Sequence, residues 1–381
     1  MTPTTGDSAH LRRELADSLA ERGFLRTDPW RKAVEAVPRE EFLRGGFFDV
    51  VPGSVPTAWC PVMPDTPGWL EQCYRDESLV TQIAGTIVPS DLRGEIMRTP
   101  TSSSTMPNLV VRMWEDLQVE DGHWVLEAGT GTGYSTALGC HRLGEDQIVS
   151  VEVDPEVSAR AGISLGACGF FPELVVGDAL AGHADGRPFD RIIATCGVLT
   201  IPPAWIEQTR PGGIILATVC GWLYSSELAR LTVREDGTAV GRFLGGQISF
   251  MLARPQLPPP LGMLPDLNTG DERGAAHGPD VLSDWTARFV AQIAAPRAQR
   301  ITLTVDGQEQ HVIVDVEAGA WASLTRDGDK WAVRQGGPAR IWDDIEEHLT
   351  WWRTDGSPRP EAFEVTVTPE GQTITWPRRT A

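Results

Sequence analysis

"VLEAGTGTGYS", Val125 to Ser135, is a short apolar run that opens into glycine at alternate positions: Gly129, Gly131 and Gly133. A strand that ends in such a turn and passes into a helix leaves backbone open to a close-lying ligand. The stretch decides the fold because its pattern continues downstream. "QIVSVEV", "ELVVGD", "FDRIIAT" and "GGIILATV" are apolar runs of strand length. Helical stretches near 134–143, 155–168 and 203–209 separate them. Strand alternating with helix predicts an α/β fold with a doubly wound parallel sheet, helices on both faces, and ligands at the carboxyl ends of the strands.

The spacing in the turn narrows the ligand. A dinucleotide turn reads G-x-G-x-x-G, and here the third place falls on Tyr134. No G-K-[ST] follows, which excludes a phosphate loop. Glu127 stands two residues before Gly129, where a carboxylate opposes a pyrophosphate and suits a cationic head. Glu152 ends the next strand, the place from which an acid takes ribose hydroxyls. Asp178, in "VVGDAL", is placed to accept from an adenine amine, and the amide of Ala179 to read a ring nitrogen. Acids at successive strand ends point to S-adenosylmethionine, which carries an ammonium and a sulfonium and no phosphate. S-adenosylhomocysteine is then the product. The expected cofactor set is Glu127, Gly129, Thr130, Gly131, Gly133, Glu152, Asp178 and Ala179.

Outward from this core, Leu11, Leu15 and Leu19 mark a first helix over 8–22, and "DPW" opens a second, with Asp28 as cap and Pro29 at its first position. Residues 51–68 read as an extended covering segment, neither strand nor helix. "RPQLPPPLGMLPDLNTGDERGAAHGPD" is the strongest boundary signal. It sets expected domains at 1–255 and 281–381, with 256–280 as linker. In the later part, "ITLTV" and "HVIVDV" flank Asp306-Gly307, and "FEVTVT" and "TITW" flank Pro369–Gly371. Ile341, Ile345, Leu349 and Trp352 mark one amphipathic helix, so this part is expected to be a small α+β domain.

Composition excludes several classes. The 381 residues carry a net charge of −19, which repels polyanions and makes nucleic acid an unexpected partner. The six cysteines form no C-x-x-C pair, and neither they nor the histidines suggest a metal. Apolar runs are too short to span a membrane, and the polar opening "MTPTTGDSAH" lacks a signal core, so a cytoplasmic chain is expected.

Taken in order, "AVPREEFL", "YRDESL", "STMPNLVVRM", "VLEAGTGTGYSTAL", "VSVEVDPE", "GDAL", "FDRIIAT" and "IPPAWIEQTRPGG" resemble protein-L-isoaspartate O-methyltransferases over roughly residues 10–255. The resemblance implies a Rossmann-like class I methyltransferase sheet. It also implies an acceptor site around the hydroxyls of Ser103, Ser104 and Thr105, with Thr105 at the family's serine position. The match departs where the acceptor lies. Ser103 replaces a threonine, Asn108 replaces a histidine, and "TQIAGTIVPSDLRGEIMRTP" is inserted upstream. These departures, with the C-terminal extension, are similar to the homologues that accompany ATP-grasp ligases in graspetide biosynthesis. That likeness implies methylation of an aspartate side chain in a ribosomally made, cyclised peptide, leading to aspartimide and isoaspartate. It also implies a precursor peptide and an ATP-grasp ligase as pathway partners, with the C-terminal domain a candidate for peptide docking. The alternative is repair of isoaspartate in damaged proteins. An aspartyl carboxylate, with reference pKa near about 3.9, is already ionised at neutral pH and needs no general base. The enzyme's task is alignment and exclusion of water.

Overall fold

The computed structural model describes residues 8–186 and 188–378; residues 1–7, part of the stretch read for a signal core, lie outside these. The chain forms two compact units: residues through Thr195 with Pro202–Leu216, and Cys196–Ile201 with Ala217 onward. This division falls upstream of the expected boundary at 255.

The first unit begins with α1 (Ala9–Glu21) and α2 (Asp28–Ala36). Leu15, Ala16 and Leu19 are the buried stripe of α1. In α2 the cap is Thr27, so Asp28 is already helical and Pro29 falls in the first turn. There follow β1 (Phe47–Val50), β2 (Trp59–Val62), α3 (Trp69–Cys73), β3 (Leu79–Ile83), β4 (Pro100–Ser104) and α4 (Pro107–Asp116). The strands make one antiparallel sheet, ordered β2-β1-β3-β4. The expectation of no strand within 51–68 is corrected by β2. Its backbone pairs with β1 from Phe47↔Val62 to Val50↔Trp59, and cross-strand pairing overrides the local proline and turn signal.

The inserted "TQIAGTIVPSDLRGEIMRTP" spans most of β3, the excursion 84–99 and the start of β4. Ile87, Leu92 and Ile96 of the excursion pack with Trp59 against Phe48, Val80 and Ile83. Ile96 and Trp59 exchange backbone hydrogen bonds of 2.9 Å each. The insertion therefore packs onto a small core that belongs to the antiparallel sheet.

The unit continues through β5 (Val125–Ala128), α5 (Tyr134–Leu143), β6 (Ile148–Glu152), α6 (Pro155–Ala167), β7 (Glu173–Val176), β8 (Phe189–Val198), α7 (Pro203–Glu207) and β9 (Thr209–Cys220). Every residue of β5 and β6 is buried, as in a strand covered on both faces, including the polar Glu127, Ser150 and Glu152. β5 pairs in parallel with β6 and with β8, and β6 with β7. The order is β9-β8-β5-β6-β7. The chain advances from β5 through β7, then returns to lay β8 on β5's other side. The order thus reverses beside β5, where an open α/β sheet parts its loops for a ligand.

β8 and β9 run on into the second unit. It adds β10 (Ser226–Val233), β11 (Ala239–Phe243), β12 (Asp271–Ala275), α8 (Trp285–Ala294), β13 (Gln299–Val305), β14 (Gln308–Asp315), β15 (Ala320–Asp327), β16 (Lys330–Gly336), α9 (Ile341–Thr354), β17 (Glu364–Thr368) and β18 (Gly371–Thr375). One sheet runs β12-β16-β15-β14-β13; the other runs β18-β17-β11-β10-β9. The expected hairpin at Asp306-Gly307 is β13–β14, and both turn residues take positive φ, 51° and 78°. The second expected hairpin is β17–β18, and its β17 also pairs with β11, as in Val365↔Gly241. The expected linker contains β12, which pairs with β16. Among the described residues two helices, α8 and α9, stand where the apolar spacing predicts one. α9 buries Ile341, Ile345, Leu349 and Trp352 as its spacing predicts. No helix among the described residues is long and apolar enough to cross a membrane.

Candidate active site

The glycine turn leaves β5 with Gly129, Gly131 and Gly133 all at positive φ, 101°, 55° and 91°. L-residues with a side chain avoid this region, so alternate glycine is the physical condition of the turn. At Gly133 space is limiting as well: a Cβ would stand 3.3 Å from that of Ala161 on α6. The turn closes through Gly133 N–H, which donates to Thr130 O at 3.0 Å. From the neighbouring strand, Thr195 Oγ1 donates to Ala128 O at 3.2 Å and also to Gly129 O.

Glu127 lies beneath this turn with no exposed surface. Its Oε2 accepts from Thr136 Oγ1 at 2.5 Å and from Ser150 Oγ at 2.8 Å. Ser150 Oγ lies 2.7 Å from Thr130 Oγ1, so with its own proton on Glu127 it accepts from Thr130. The other oxygen, Oε1, is buried without a partner. Burial pushes the Glu127 carboxyl up from its ordinary value, and the hydroxyl donors oppose that. A buried acceptor left open costs free energy unless a donor or cation completes it. That is the fit for a ligand's ammonium.

Glu152 closes the far side. Its Oε2 accepts from Gly131 N–H at 2.9 Å and its Oε1 from Asp154 N–H at 3.1 Å. The expected ribose acceptor is therefore also the brace of the glycine turn; each oxygen keeps a lone pair for a hydroxyl. Asp178 is exposed, and its Oδ1 accepts from Leu180 N–H at 2.9 Å. Ala179 is held by its carbonyl, which accepts from Trp205 Nε1 at 2.7 Å. All eight expected cofactor residues thus fall on the carboxyl side of β5, β6 and β7.

β4 brings the expected acceptor segment to the same turn. A Cβ on Gly131 would stand 3.5 Å from Ser103 O. Ser102 and Ser104 are buried, whereas Ser103 and Thr105 are partly exposed, the alternation of a strand. The three expected hydroxyls do not share one face: Ser103 and Thr105 lie on one side, and Ser104 turns inward with Oγ buried and unpartnered. Thr105 does not cap α4, whose cap is Met106 with no side-chain bond. Asn108 is held by Asp76, which accepts from its backbone N–H and from its Nδ2, both at 2.8 Å. Arg93 and Arg98 are exposed on the excursion.

Two residues that no sequence pattern singles out tie these parts together. Gln82 is fully buried; its Nε2 donates to Asp154 Oδ2 at 3.0 Å and its Oε1 accepts from Thr101 Oγ1 at 2.8 Å. Gln82 thus joins β3 and β4 to the cap of α6, whose Asp154 Oδ1 accepts from Glu156 and Val157 N–H. Arg39, inside "AVPREEFL", is the other: it is buried and bonded to carbonyls at the ends of β4 and α3. In the sequence it is one arginine between Pro38 and two glutamates, with no sign of distant partners.

The switch-point turn, the buried acid with an open oxygen, and the acids closing β6 and β7 define a class I S-adenosylmethionine-dependent methyltransferase. "Protein-L-isoaspartate(D-aspartate) O-methyltransferase (PCMT)" is the family description that matches residues 88–250. A protein-L-isoaspartate O-methyltransferase of Methanopyrus kandleri is 35% identical over 170 residues, covering 42% of this chain and 74% of its own length. One of Methanothermobacter thermautotrophicus is 28% identical over 237 residues, covering 62% of this chain and 91% of its own. The chain belongs to the protein-L-isoaspartate O-methyltransferase family, whose chemistry is protein carboxyl O-methylation. A solved structure described as a protein-L-isoaspartate O-methyltransferase shares the fold with TM-score 0.56 and 22% identity, over 96% of this chain and 99% of its own. That fold likeness takes in the C-terminal part of the chain as well.

Proposed function

We propose that this chain methylates the side-chain carboxylate of an aspartyl-derived residue in a polypeptide, with the L-isoaspartyl residue as the acceptor the relatives support best. The observation that carries the reading is the approach of β4 to the glycine turn, with Ser103 O against Gly131. Hydroxyl-bearing acceptor residues and the donor turn are thereby neighbours in one unit. S-adenosylmethionine supplies, when bound, a methyl group on a sulfonium centre. In this reading Glu127 Oε1 takes its ammonium and Glu152 its ribose, which the open Glu127 oxygen and the bracing of the turn by Glu152 support. Thr105 and Ser103 hydroxyls orient the acceptor carboxylate by donating to one oxygen while the other attacks. The nucleophile is already ionised, so holding geometry does the work, and well-held geometry supplies about 7–11 kcal/mol of a barrier.

A second reading keeps the class and changes the acceptor. It is a normal aspartate in a ribosomally made peptide already cyclised by an ATP-grasp ligase, a graspetide, whose ester then closes to aspartimide. The acceptor-side departures favour it. Asn108 is consumed by Asp76, Thr105 adds a methyl beside the attacking oxygen, and the packed excursion 84–99 lengthens the segment that leads into β4. Incubation with donor labelled in its methyl group separates the readings. Transfer to a linear isoaspartyl peptide supports the first. Transfer only to normal aspartate in a constrained peptide supports the second. Donor binding with no transfer to either overturns both.

A further inference from the structure

Arg39 has no exposed surface, and among the described residues no carboxylate lies within ion-pair distance of it. Its guanidinium is held by main-chain carbonyls. Nη1 donates to Cys73 O and Arg75 O, each at 2.8 Å. Nη2 donates to Glu77 O at 3.0 Å and to Ser104 O and Thr105 O, both at 3.2 Å. The first three carbonyls lie on the lead into β3; the last two close β4. One cation therefore pins the exit of β4 to the entry of β3, where Leu79 pairs with Ser104.

Two further facts point the same way. Arg39 Nε is buried without a partner, and so are Ser104 Oγ and Tyr134 OH; the Tyr134 ring lies 5.8 Å from the guanidinium. Five carbonyl dipoles stabilise the cation but do not neutralise it. A buried positive charge stands directly behind the peptide unit that carries the Thr105 hydroxyl. Asp76 acts on this cation from beyond ion-pair distance, and an anion brought to the Thr105 hydroxyl adds to that compensation from the acceptor side.

We propose that Arg39 is a positioning residue of the acceptor side: it fixes the Ser104–Thr105 peptide unit against the glycine turn and sets a positive field behind the acceptor carboxylate. This rests on the reading of Thr105 and Ser103 as the acceptor face. Arg39 acts through that face and does not touch the reacting atoms. Its role also accounts for an arginine where an aliphatic residue would bury at lower cost.

The test compares full-length wild type, Arg39→Lys and Ser78→Ala. The exposed Ser78 Oγ accepts from Met106 N–H at 3.1 Å, one residue beyond the Arg39 clamp, so Ser78→Ala loosens the same segment without removing a buried charge. Calorimetry with S-adenosylhomocysteine reads the donor side, and steady-state transfer to the isoaspartyl and constrained aspartyl peptides reads the acceptor side. For Arg39→Lys, donor affinity stays within about twofold of wild type; the acceptor KM rises and kcat/KM falls about 100-fold, the scale of a 1 Å misplacement. Ser78→Ala raises the same KM by a smaller factor. A purely structural arginine predicts the opposite split: activity lost in proportion to the unfolded fraction, with acceptor KM unchanged. That result overturns the proposal, as does an unchanged KM in Ser78→Ala if Arg39→Lys does not fold. Wild type that transfers to neither peptide removes the functional reading and this inference with it.

Discussion

At the scale of single residues, Glu127 shows how function and stability pull apart. Its carboxylate is buried beneath the turn with one oxygen satisfied by Thr136 and Ser150 and the other open. Glu127→Gln keeps the shape and removes the charge. Donor affinity is expected to fall by about 10- to 100-fold, the worth of a charge-assisted bond of about 1.5–3 kcal/mol, read by calorimetry. Stability moves the other way. Burial raises this carboxyl's pKa, so the folded chain holds the proton more tightly than the unfolded chain. Its contribution is fully favourable below the unfolded pKa and is lost as pH rises through the higher folded value. At pH 7 the donor-free Glu127→Gln variant is therefore expected to melt above wild type. The gap narrows as pH falls from the raised folded value down to the ordinary carboxylate value and is constant below it; a gap that widens contradicts the assignment. The sequence made Glu127 legible through its spacing to Gly129. It could not make Arg39 or Gln82 legible, because their partners lie in segments distant along the chain.

Whole elements add constraints that no single residue carries. The β5–turn–α5 unit depends on Gly133, where φ is 91° and a Cβ meets α6 at 3.3 Å. Gly133→Ala is expected to lower stability by about 1–3 kcal/mol, the cost of a strained backbone position. Donor affinity should fall with it, because the same turn lines the donor site. A melting curve superposable on wild type counts against the packing account. The β4 alternation belongs at this scale too: "TSSST" reads as a polar run, and only its pairing with β3 sorts Ser103 from Ser104. Ser104→Ala is accordingly expected to leave acceptor KM within about twofold, since it removes a buried hydroxyl that has no partner. Comparable losses in Ser104→Ala and Thr105→Val would place both on the acceptor face and refute that sorting.

For the molecule as a whole, charge and sheet edges matter most. A net charge of −19 opposes approach of an acidic acceptor until salt screens it. As ionic strength rises from about 0.01 to 0.15 M the screening length shrinks from about 30 to about 8 Å. Over that range kcat/KM for an acidic acceptor peptide is expected to rise and that for a basic one to fall. Identical salt profiles for the two show that the local site, not the overall field, governs encounter. In the second unit, Phe363 is fully buried, with Phe289 at 6.5 Å and Trp376 at 5.3 Å between ring centroids. Phe363→Ala is expected to cost about 3–5 kcal/mol in that unit's unfolding transition. A loss below about 1 kcal/mol, read by denaturant titration, would mean that this cluster does not hold the unit.

What the sequence determined by itself is local in origin. The glycine turn, the Asp306-Gly307 hairpin and the α9 stripe each follow from spacing within about a dozen residues, because backbone geometry and periodicity act at that range, and the strand–helix alternation with its acids at successive strand ends is a series of such local patterns. What tertiary structure alone decided involves partners far apart in the chain. It paired β17 with β11, made β2 a strand, packed the excursion 84–99 onto the core of the antiparallel sheet, and turned Ser104 away from Ser103. It also closed the Arg39 clamp and the Gln82–Asp154 tie. Such contacts depend on which surfaces remain to be buried once the local elements have formed, and that is set by the assembled chain rather than by any one stretch of it.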